Sequence, residues 1–471
     1  MKKHEELKKK LSYKRKNFWE SSTKKEQRVA FKFAEKYKEF LDECKTVRES
    51  VNYVEKLLEE KNFTNIDSST KGKKIFKTGY GKNIAFAVIG KKPISEGVNI
   101  VAAHVDAPRV DLKQMPLQED SQTKLGIMRT HYYGGVKKYQ WMSTPLAIHG
   151  VIIKQSGEII NVSIGEDEKD PIFIMPDLLP HLAAKEQYAH KMGDAIKASQ
   201  MKVLFNSIPY MDKDEEISEA VKLNALIMLN EKYDITEEDF LRAELELVPA
   251  GKSRDAGLDK SFVAGYGQDD RICAYTGMKA LLDCDLPEKT AIVFLTDKEE
   301  VGSEGNTGAN AIFLTDFIGD LLKYNKEDSD SFTLRKTMIN SQIISADVAA
   351  AINPNYPNVH EPSNAVHLGF GVGLIKYTGS RGKSSANDAN AEFVAKMTNI
   401  FNDDKVNWQM GTLGKVDEGG GGTIAKFLAE SGAEVIDCGP GLLGMHSLYE
   451  LCSKADLYST YRAYKAFFVK G

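Results

Sequence analysis

AIVFLTDKEEVGSEG, residues 291–305, is the stretch on which the reading of this chain turns. Five apolar residues, Ala291–Leu295, end abruptly in acids and glycines, the pattern of a buried parallel strand breaking into a loop. In an open α/β sheet, ligands and metals bind at that edge, beyond the carboxyl ends of the strands. Glu299 and Glu300 stand there side by side. Successive side chains at a strand end point in different directions. The two carboxylates can therefore hold different jobs, one on a metal and one on a water. Adjacent acids are also common on solvated loops, so the pair alone leaves both readings open.

Outward from this stretch, further strand-like runs occur at Ile84–Ile89, Val98–Val105, Gln342–Ser345, Val366–Ile375 and Glu434–Cys438, with helical patterns between them after Gly257. From about Lys113 to Val248 the character changes. Short β-rich segments (Leu125–Met128, Leu146–Lys154, Glu158–Ile164, Ile172–Met175) alternate with Gly and Asp/Glu turns, and a helical stretch follows at Glu216–Tyr233. The chain thus reads as one α/β domain built from residues 1–112 and 249–471, interrupted by an inserted β-rich domain at 113–248. Near the N-terminus, Ala30, Phe33, Ala34, Tyr37, Phe40 and Leu41 recur at the spacing of one helix face, with Phe31 outside the stripe. The lysines there alternate with glutamates, which describes a solvated amphipathic helix rather than a nucleic-acid arm.

Composition narrows the function classes. The 471 residues are 42% hydrophobic and 28% charged, with a net charge of −4, the profile of an ordinary globular protein with no field favouring nucleic acid or an anionic membrane. No apolar run is long enough to span a bilayer, and the basic N-terminus lacks the apolar centre of a signal peptide. Five scattered cysteines form no CxxC pair. They fit a reducing cytoplasm and argue against a disulfide framework or a zinc ribbon. The Gly-rich runs GFGVGL (369–374) and EGGGGT (418–423) match neither phosphate-binding fingerprint.

Nine histidines are few enough to weigh singly. His104, in NIVAAHVDAPRVD, directly follows an apolar strand and precedes Asp106 by two residues. In H-x-D the carboxylate can accept the other imidazole N–H and fix the tautomer for metal binding. His446, in GPGLLGMHSLYE, follows the strand Glu434–Cys438 and its Gly-rich loop. His131, His149, His190, His360 and His367 lack such settings and read as structural. Asp269 and Asp270 in GYGQDDRIC stand before a helical pattern, where capping is the alternative role. Asp347 in IISADVAAAI ends another apolar run, where a turn is the alternative. Counted in chain order, the strand-end groups are His104, Asp269, Glu300, Asp347 and His446. Two imidazoles and three carboxylates suit two divalent cations sharing one carboxylate, and zinc accepts such a mixed N/O set. Two metals roughly 3.5–4 Å apart can activate a water and polarise a carbonyl. A base that is not a ligand is still required, and the spare glutamate of the pair supplies it.

The order H-x-D, Asp-Asp, EEVGS (299–303), SADVAAAINPNY (345–356) and MHS (445–447) resembles the aspartyl aminopeptidase and aminopeptidase I family of metalloaminopeptidases, over nearly the whole chain. The resemblance implies a mixed-sheet α/β/α catalytic domain of the dinuclear zinc aminopeptidase type with an inserted β-rich dimerisation domain. It implies one metal held by Glu300 and His446, the other by His104 and Asp347, and Asp269 bridging them. Asp106 would orient His104, and Glu299 would be the general base. It also implies a cis peptide bond between Asp269 and Asp270. The expected cofactors are two divalent ions per subunit, zinc first, with cobalt or manganese tolerated.

Substrate-reading residues follow from the same likeness. Lys376 in GLIKYTG resembles a lysine near the S1 pocket that pairs with an acidic N-terminal side chain, a solvated lysine ending a strand being the alternative. His181 in LLPHLA resembles a histidine lent to the active site by a neighbouring subunit. The resemblance further implies peptide substrates and a closed homo-oligomer, a tetrahedral dodecamer. Three departures bear on substrate choice rather than on the metal core. YQWMSTPLAIHG replaces the commoner W-F-D-R-D-L-x-L-A-G, Asn353 stands where relatives often carry His, and RGKSSAND lacks a tyrosine. The expected activity is removal of N-terminal residues, acidic ones included. A dinuclear carboxypeptidase or N-deacylase is the alternative within enzymes, and a non-catalytic scaffold or cargo protein of the same fold the alternative outside them.

Overall fold

Ala291–Thr296 is a strand with every residue buried, and it lies inside a nine-stranded mixed sheet. In the computed structural model, which describes residues 3–68, 72–213 and 215–471, that sheet runs in the order Thr64–Asn65, Lys74–Gly79, Asn83–Val88, Ala291–Thr296, Asn99–His104, Gln342–Ser345, Glu434–Gly439, Val372–Ile375 and Trp408–Gly411. The four strands from Ala291–Thr296 to Glu434–Gly439 are mutually parallel, so their carboxyl ends share one edge.

Alternation across the pleat builds two apolar layers. Val101 and Ala103 face the cluster that contains Tyr37, Ile272, Met278, Phe401 and Phe467. Ile100 and Ala102 face the opposite cluster with Phe317, Ile318, Leu321 and Leu428. The result is an α/β/α sandwich. The helix Lys24–Glu43 buries Ala30, Ala34, Tyr37, Phe40 and Leu41, and Thr23 with Glu26 closes its start in a capping box. Phe33, the remaining member of the expected stripe, is partly buried against the same layer.

A second, wholly antiparallel sheet of six strands has the order Ile159–Ile164, Leu146–Ile153, Ala243–Pro249, Arg109–Glu119, Gly126–Tyr133 and Val203–Asn206. Its apolar face packs with Ala225, Leu226 and Leu229 of the helix Ala220–Tyr233. The chain enters this sheet directly after His104, through residues 105–108. A third sheet of five short strands includes Phe262–Gly265, Glu450–Ser453 and Gly441–Leu443.

Three expected elements are shorter or absent. Ile172–Met175 forms only isolated bridges, to Met142, Leu146 and Leu204. Val366–Ile375 is a strand only from Val372, because Gly369 and Gly371 take φ of 84° and 91° and break the extended run. The helix begins at Ala220, after Glu219 turns to φ 51°. All five cysteines are free and buried. No helix among the described residues is long and apolar enough to cross a membrane.

Candidate metal centre

The parallel strands deliver their acids and imidazoles to one edge. His104 is the last residue of Asn99–His104 and pairs in register with Thr296. Lys298 at φ 67° and Gly302 at φ 99° bracket the short turn Glu299–Val301 beyond that strand. The turn aims the backbone N–H groups of Glu299 and Glu300 at the two Asp106 carboxylate oxygens, over 3.1 and 3.2 Å. Asp347 follows the strand Gln342–Ser345 by two residues. His446, at φ 64°, sits on the loop between Gly441–Leu443 and Glu450–Ser453. Asp269 opens the helix Gln268–Leu282, and the Asp269–Asp270 peptide bond is cis.

These residues converge on one point. Asp269 Oδ1 lies 3.2 Å from His104 Nε2, and its Oδ2 lies 3.2 Å from His446 Nε2. Glu300 Oε1 stands 3.3 Å from the same His446 nitrogen. Glu299 Oε2 is 3.9 Å from His104 Nε2. The other imidazole nitrogens are held from behind. His104 Nδ1 is 3.2 Å from Asp106 Oδ1 and 3.0 Å from the Asp106 carbonyl. His446 Nδ1 is 3.2 Å from the Gly135 carbonyl. Each ring thus turns Nε2 toward the cluster, the arrangement that prepares an imidazole to ligate a cation.

The donor set fits divalent metal ions. His104, Asp269 and Glu300 offer ligand atoms within 4.8 Å of one another, and so do His104, Asp270 and Asp347. His104 Nε2, Glu300 Oε1 and both carboxylate oxygens of Asp270 are buried without a hydrogen-bond partner, which is costly unless a cation completes them. Mixed nitrogen and oxygen donors of this kind suit zinc, and cobalt or manganese as well.

The electrostatics point the same way. Burial, opposed by His104 and reinforced by Glu300 and Asp269, pushes the Glu299 carboxyl up to about 8. Burial, then Asp270 and Glu299, drives Asp347 well above the carboxylate range. Burial also raises Asp270 and, against the pull of His446, Glu300. Burial works against charging His446, yet Asp269 and Glu300 lift it to about 11. So many acids around two imidazoles form a well for added positive charge.

A cavity of about 260 Å³ opens onto Asp269, Glu299, Glu300, Asp347 and His446. Its other wall is largely apolar, from Val348, Ala349, Ile375, Leu413 and Met445, with the backbone of Gly420–Gly422 beside them. Lys376 is not among its lining residues. It lines the adjoining cavity of about 410 Å³, where its ammonium donates to Asp388 over 2.6 Å. His181 is exposed on the turn Pro180–Leu182 and does not line the cavity.

Three groups at the centre carry no sequence signal of their own strength. Asp270 is buried beside His104 and Asp347, although in sequence it looks like a capping partner of Asp269. Glu450 is 1% exposed, and its carboxylate accepts from the backbone N–H of His446 at 2.8 Å and of Asp269 at 3.1 Å. Tyr133, from the six-stranded sheet, donates its hydroxyl to Asp106 Oδ2 at 2.8 Å. The glutamate four residues after His446 was a usable hint for Glu450. Nothing local marks Tyr133.

Comparison with known proteins identifies the family. Residues 40–468 match the family model described as aminopeptidase I zinc metalloprotease, M18. A probable M18 family aminopeptidase 1 from Clostridium acetobutylicum is 49% identical over 459 residues, 96% of this chain and 97% of the relative. Its Thermotoga maritima counterpart is 46% identical over 463 residues, 98% and 100% of the two chains. The crystal structure of an M18 family aminopeptidase from Thermotoga maritima superposes with a TM-score of 0.92 at 46% identity, covering 98% of this chain and all of that one. A yeast aminopeptidase 1 solved as a dodecamer shares the fold, with a TM-score of 0.74 at 23% identity over 93% of this chain and 96% of that one.

Proposed function

The chain belongs to the aminopeptidase I zinc metalloprotease family, M18, and from that premise we propose a two-metal centre and a division of labour among its residues. The protein is an aminopeptidase, a hydrolase of peptide N-termini. The observation that supports the assignment of roles is the posture of Asp269, whose two carboxylate oxygens each meet a different imidazole at 3.2 Å. That is the stance of a carboxylate shared between two cations. Glu300 and His446 would hold one ion, and His104 and Asp347 the other. Bound there, the metals supply Lewis acidity and lower the pKa of water.

The chain's own groups do the remaining work. Glu299 lines the cavity, with Oε2 3.9 Å from His104 Nε2. It takes the proton of the attacking water and returns it to the leaving amine. Asp106, fixed by two backbone N–H groups, keeps His104 in its working tautomer. The free α-amino group of the substrate settles among the acids of the cavity, which limits cleavage to the chain end.

The cavity also argues for a substrate class. Its side wall is apolar, and Lys376 spends its charge on Asp388. A neutral, apolar N-terminal side chain fits this wall better than an acidic one, whose desolvation the wall would not compensate. His181 does not line the cavity, so any part it plays would come through a neighbouring subunit. The yeast relative forms a dodecamer, and this chain assembles in the same way under this reading.

Replacing Glu299 with Gln tests the assignment. Metal content, measured by atomic emission, should stay near two ions per chain, while kcat on aminoacyl anilides falls at least about 10²-fold. Retained turnover would remove Glu299 from its role, and a single ion per chain would remove the two-metal centre.

A further inference from the structure

The metal centre is completed by a sheet that carries none of its ligands. Both histidines are steadied at their Nδ1 side, and in both cases the contact leads to one corner of the six-stranded sheet, Tyr133–Gly134–Gly135. Tyr133 is the last residue of the strand Gly126–Tyr133. Its hydroxyl donates to Asp106 Oδ2 at 2.8 Å, and Asp106 in turn holds His104. Two residues on, the Gly135 carbonyl meets His446 Nδ1 at 3.2 Å.

The corner is itself held in place by its own sheet. Arg109 pairs in register with Tyr133 across the strands and lays its guanidinium 3.7 Å from the centroid of the Tyr133 ring. Asp111 and Glu246, register partners on the next pair of strands, grip the Arg109 Nε at 2.8 and 3.0 Å. A stacked, desolvated guanidinium contributes more than an exposed one and fixes the ring plane. The two glycines leave the room that the approach demands. Gly134 sits at φ 71°, and a Cβ there would come within 3.2 Å of the Glu300 Cβ; a Cβ on Gly135 would come within 3.0 Å of His446 Nδ1. The corner therefore passes as close to the ligands as backbone allows.

We infer that the corner Tyr133–Gly135 is a positioning element for both imidazoles, acting on His104 through Asp106 and on His446 directly, so that the six-stranded sheet is part of the metal centre. The inference rests on the reading that His104 and His446 bind metal. It goes beyond that reading by making the geometry of the centre depend on how the inserted sheet docks. Any displacement of that sheet would be felt at both imidazoles at once. Outer groups that orient a metal-bound histidine are worth about 10–100-fold in metal affinity or activity when removed.

Cobalt-substituted protein reads the effect without relying on turnover. Tyr133→Phe removes one hydroxyl and keeps the ring stacked on Arg109. It should shift the visible cobalt bands, speed cobalt loss to a chelator about tenfold, and lower kcat about tenfold with KM within about twofold. Its thermal midpoint should stay near that of the parent. Gly135→Ala presses on His446 from the other side and should shift the bands while leaving secondary structure unchanged. Tyr132→Phe, at the exposed neighbouring ring, should match the parent throughout. A parent-like cobalt spectrum and chelator half-life for both Tyr133→Phe and Gly135→Ala would overturn the inference. If the parent itself takes up no cobalt, the metal reading falls and this inference with it.

Discussion

Lys376 donates to Asp388 across 2.6 Å, and this pairing neutralises the ammonium that the sequence likeness assigns to reading acidic substrates. Asp388 accepts from Lys383 as well, at 2.7 Å, so a second ammonium shares the same carboxylate. Both Lys376 and Asp388 are more than a third exposed, which limits the pair to about 1 kcal/mol or less. Asp388→Asn should free Lys376 and raise kcat/KM on aspartyl and glutamyl anilides by up to about fivefold, the equivalent of that energy. Leucyl and methionyl substrates should change less than about twofold. Lys376→Ala should leave the apolar substrates untouched. A parent enzyme that prefers aspartyl over leucyl substrates would reject the apolar reading of the cavity.

Glu450 makes a different demand. One buried carboxylate accepts the backbone N–H of His446 and of Asp269, so it ties both residues to the same anchor. Glu450→Gln keeps the shape but turns one acceptor into an NH₂ that faces a backbone N–H. Metal affinity, measured by competition with a chromophoric chelator, should weaken about tenfold, and the unsatisfied donor should cost about 1–3 kcal/mol of stability. Affinity equal to the parent would show that the two backbone contacts are dispensable.

His149 gives the molecule a pH-dependent clasp between a helix and the six-stranded sheet. It is 3% exposed and bridges Glu49 of the helix Val47–Glu60 at 2.8 Å and Glu166, next to the six-stranded sheet, at 3.1 Å. Lys45 lies 3.8 Å from Glu166. Burial lowers the imidazole, but the two carboxylates override it and lift the group to about 9. A folded pKa above the unfolded value stabilises the protein fully below about pH 6.5, and that stability fades as pH rises through about 9. The swing is worth at most about 3 kcal/mol. Denaturation midpoints between pH 6 and 10 should fall for the parent and fall much less for His149→Gln. Parallel profiles would rule the clasp out.

The sequence disclosed the centre where chemistry and strand geometry coincide. His104, Glu299, Glu300 and Asp347 all follow apolar runs, and a polar residue at the end of a buried strand is conspicuous against them. Asp270 was hidden because two adjacent acids before a helix look alike, and only the path of the backbone sends the second one inward. Tyr133 and Gly135 were hidden for a deeper reason. Their contacts join two sheets, and no local pattern encodes which corner of one sheet will meet the edge of another. The same limit applies to Trp408–Gly411, an edge strand whose four residues, WQMG, carry no alternation to read. His149 sits between two carboxylates, and the residues that hold it lie 100 and 17 positions away.

Removing the metals should expose how poorly the acids tolerate each other. Asp269, Asp270, Glu299, Glu300 and Asp347 crowd two imidazoles, and burial drives Asp347 and Asp270 well above the carboxylate range. In the metal-free protein this crowding is a stability cost, and bound cations reverse it while adding their own binding free energy. Chelation should therefore lower the thermal midpoint by several degrees, and zinc should restore it. Asp347→Asn separates the two contributions because it removes the ionisable group, and with it the cost of holding it neutral, without changing shape. The metal-free variant should melt above the metal-free parent, by roughly 1 °C for each kcal/mol of crowding relieved. The zinc-loaded variant should melt below the zinc-loaded parent. Calorimetry on the four samples decides the point: if the substitution moves both midpoints in the same direction, Asp347 is a packing residue and not a ligand held in readiness for a cation.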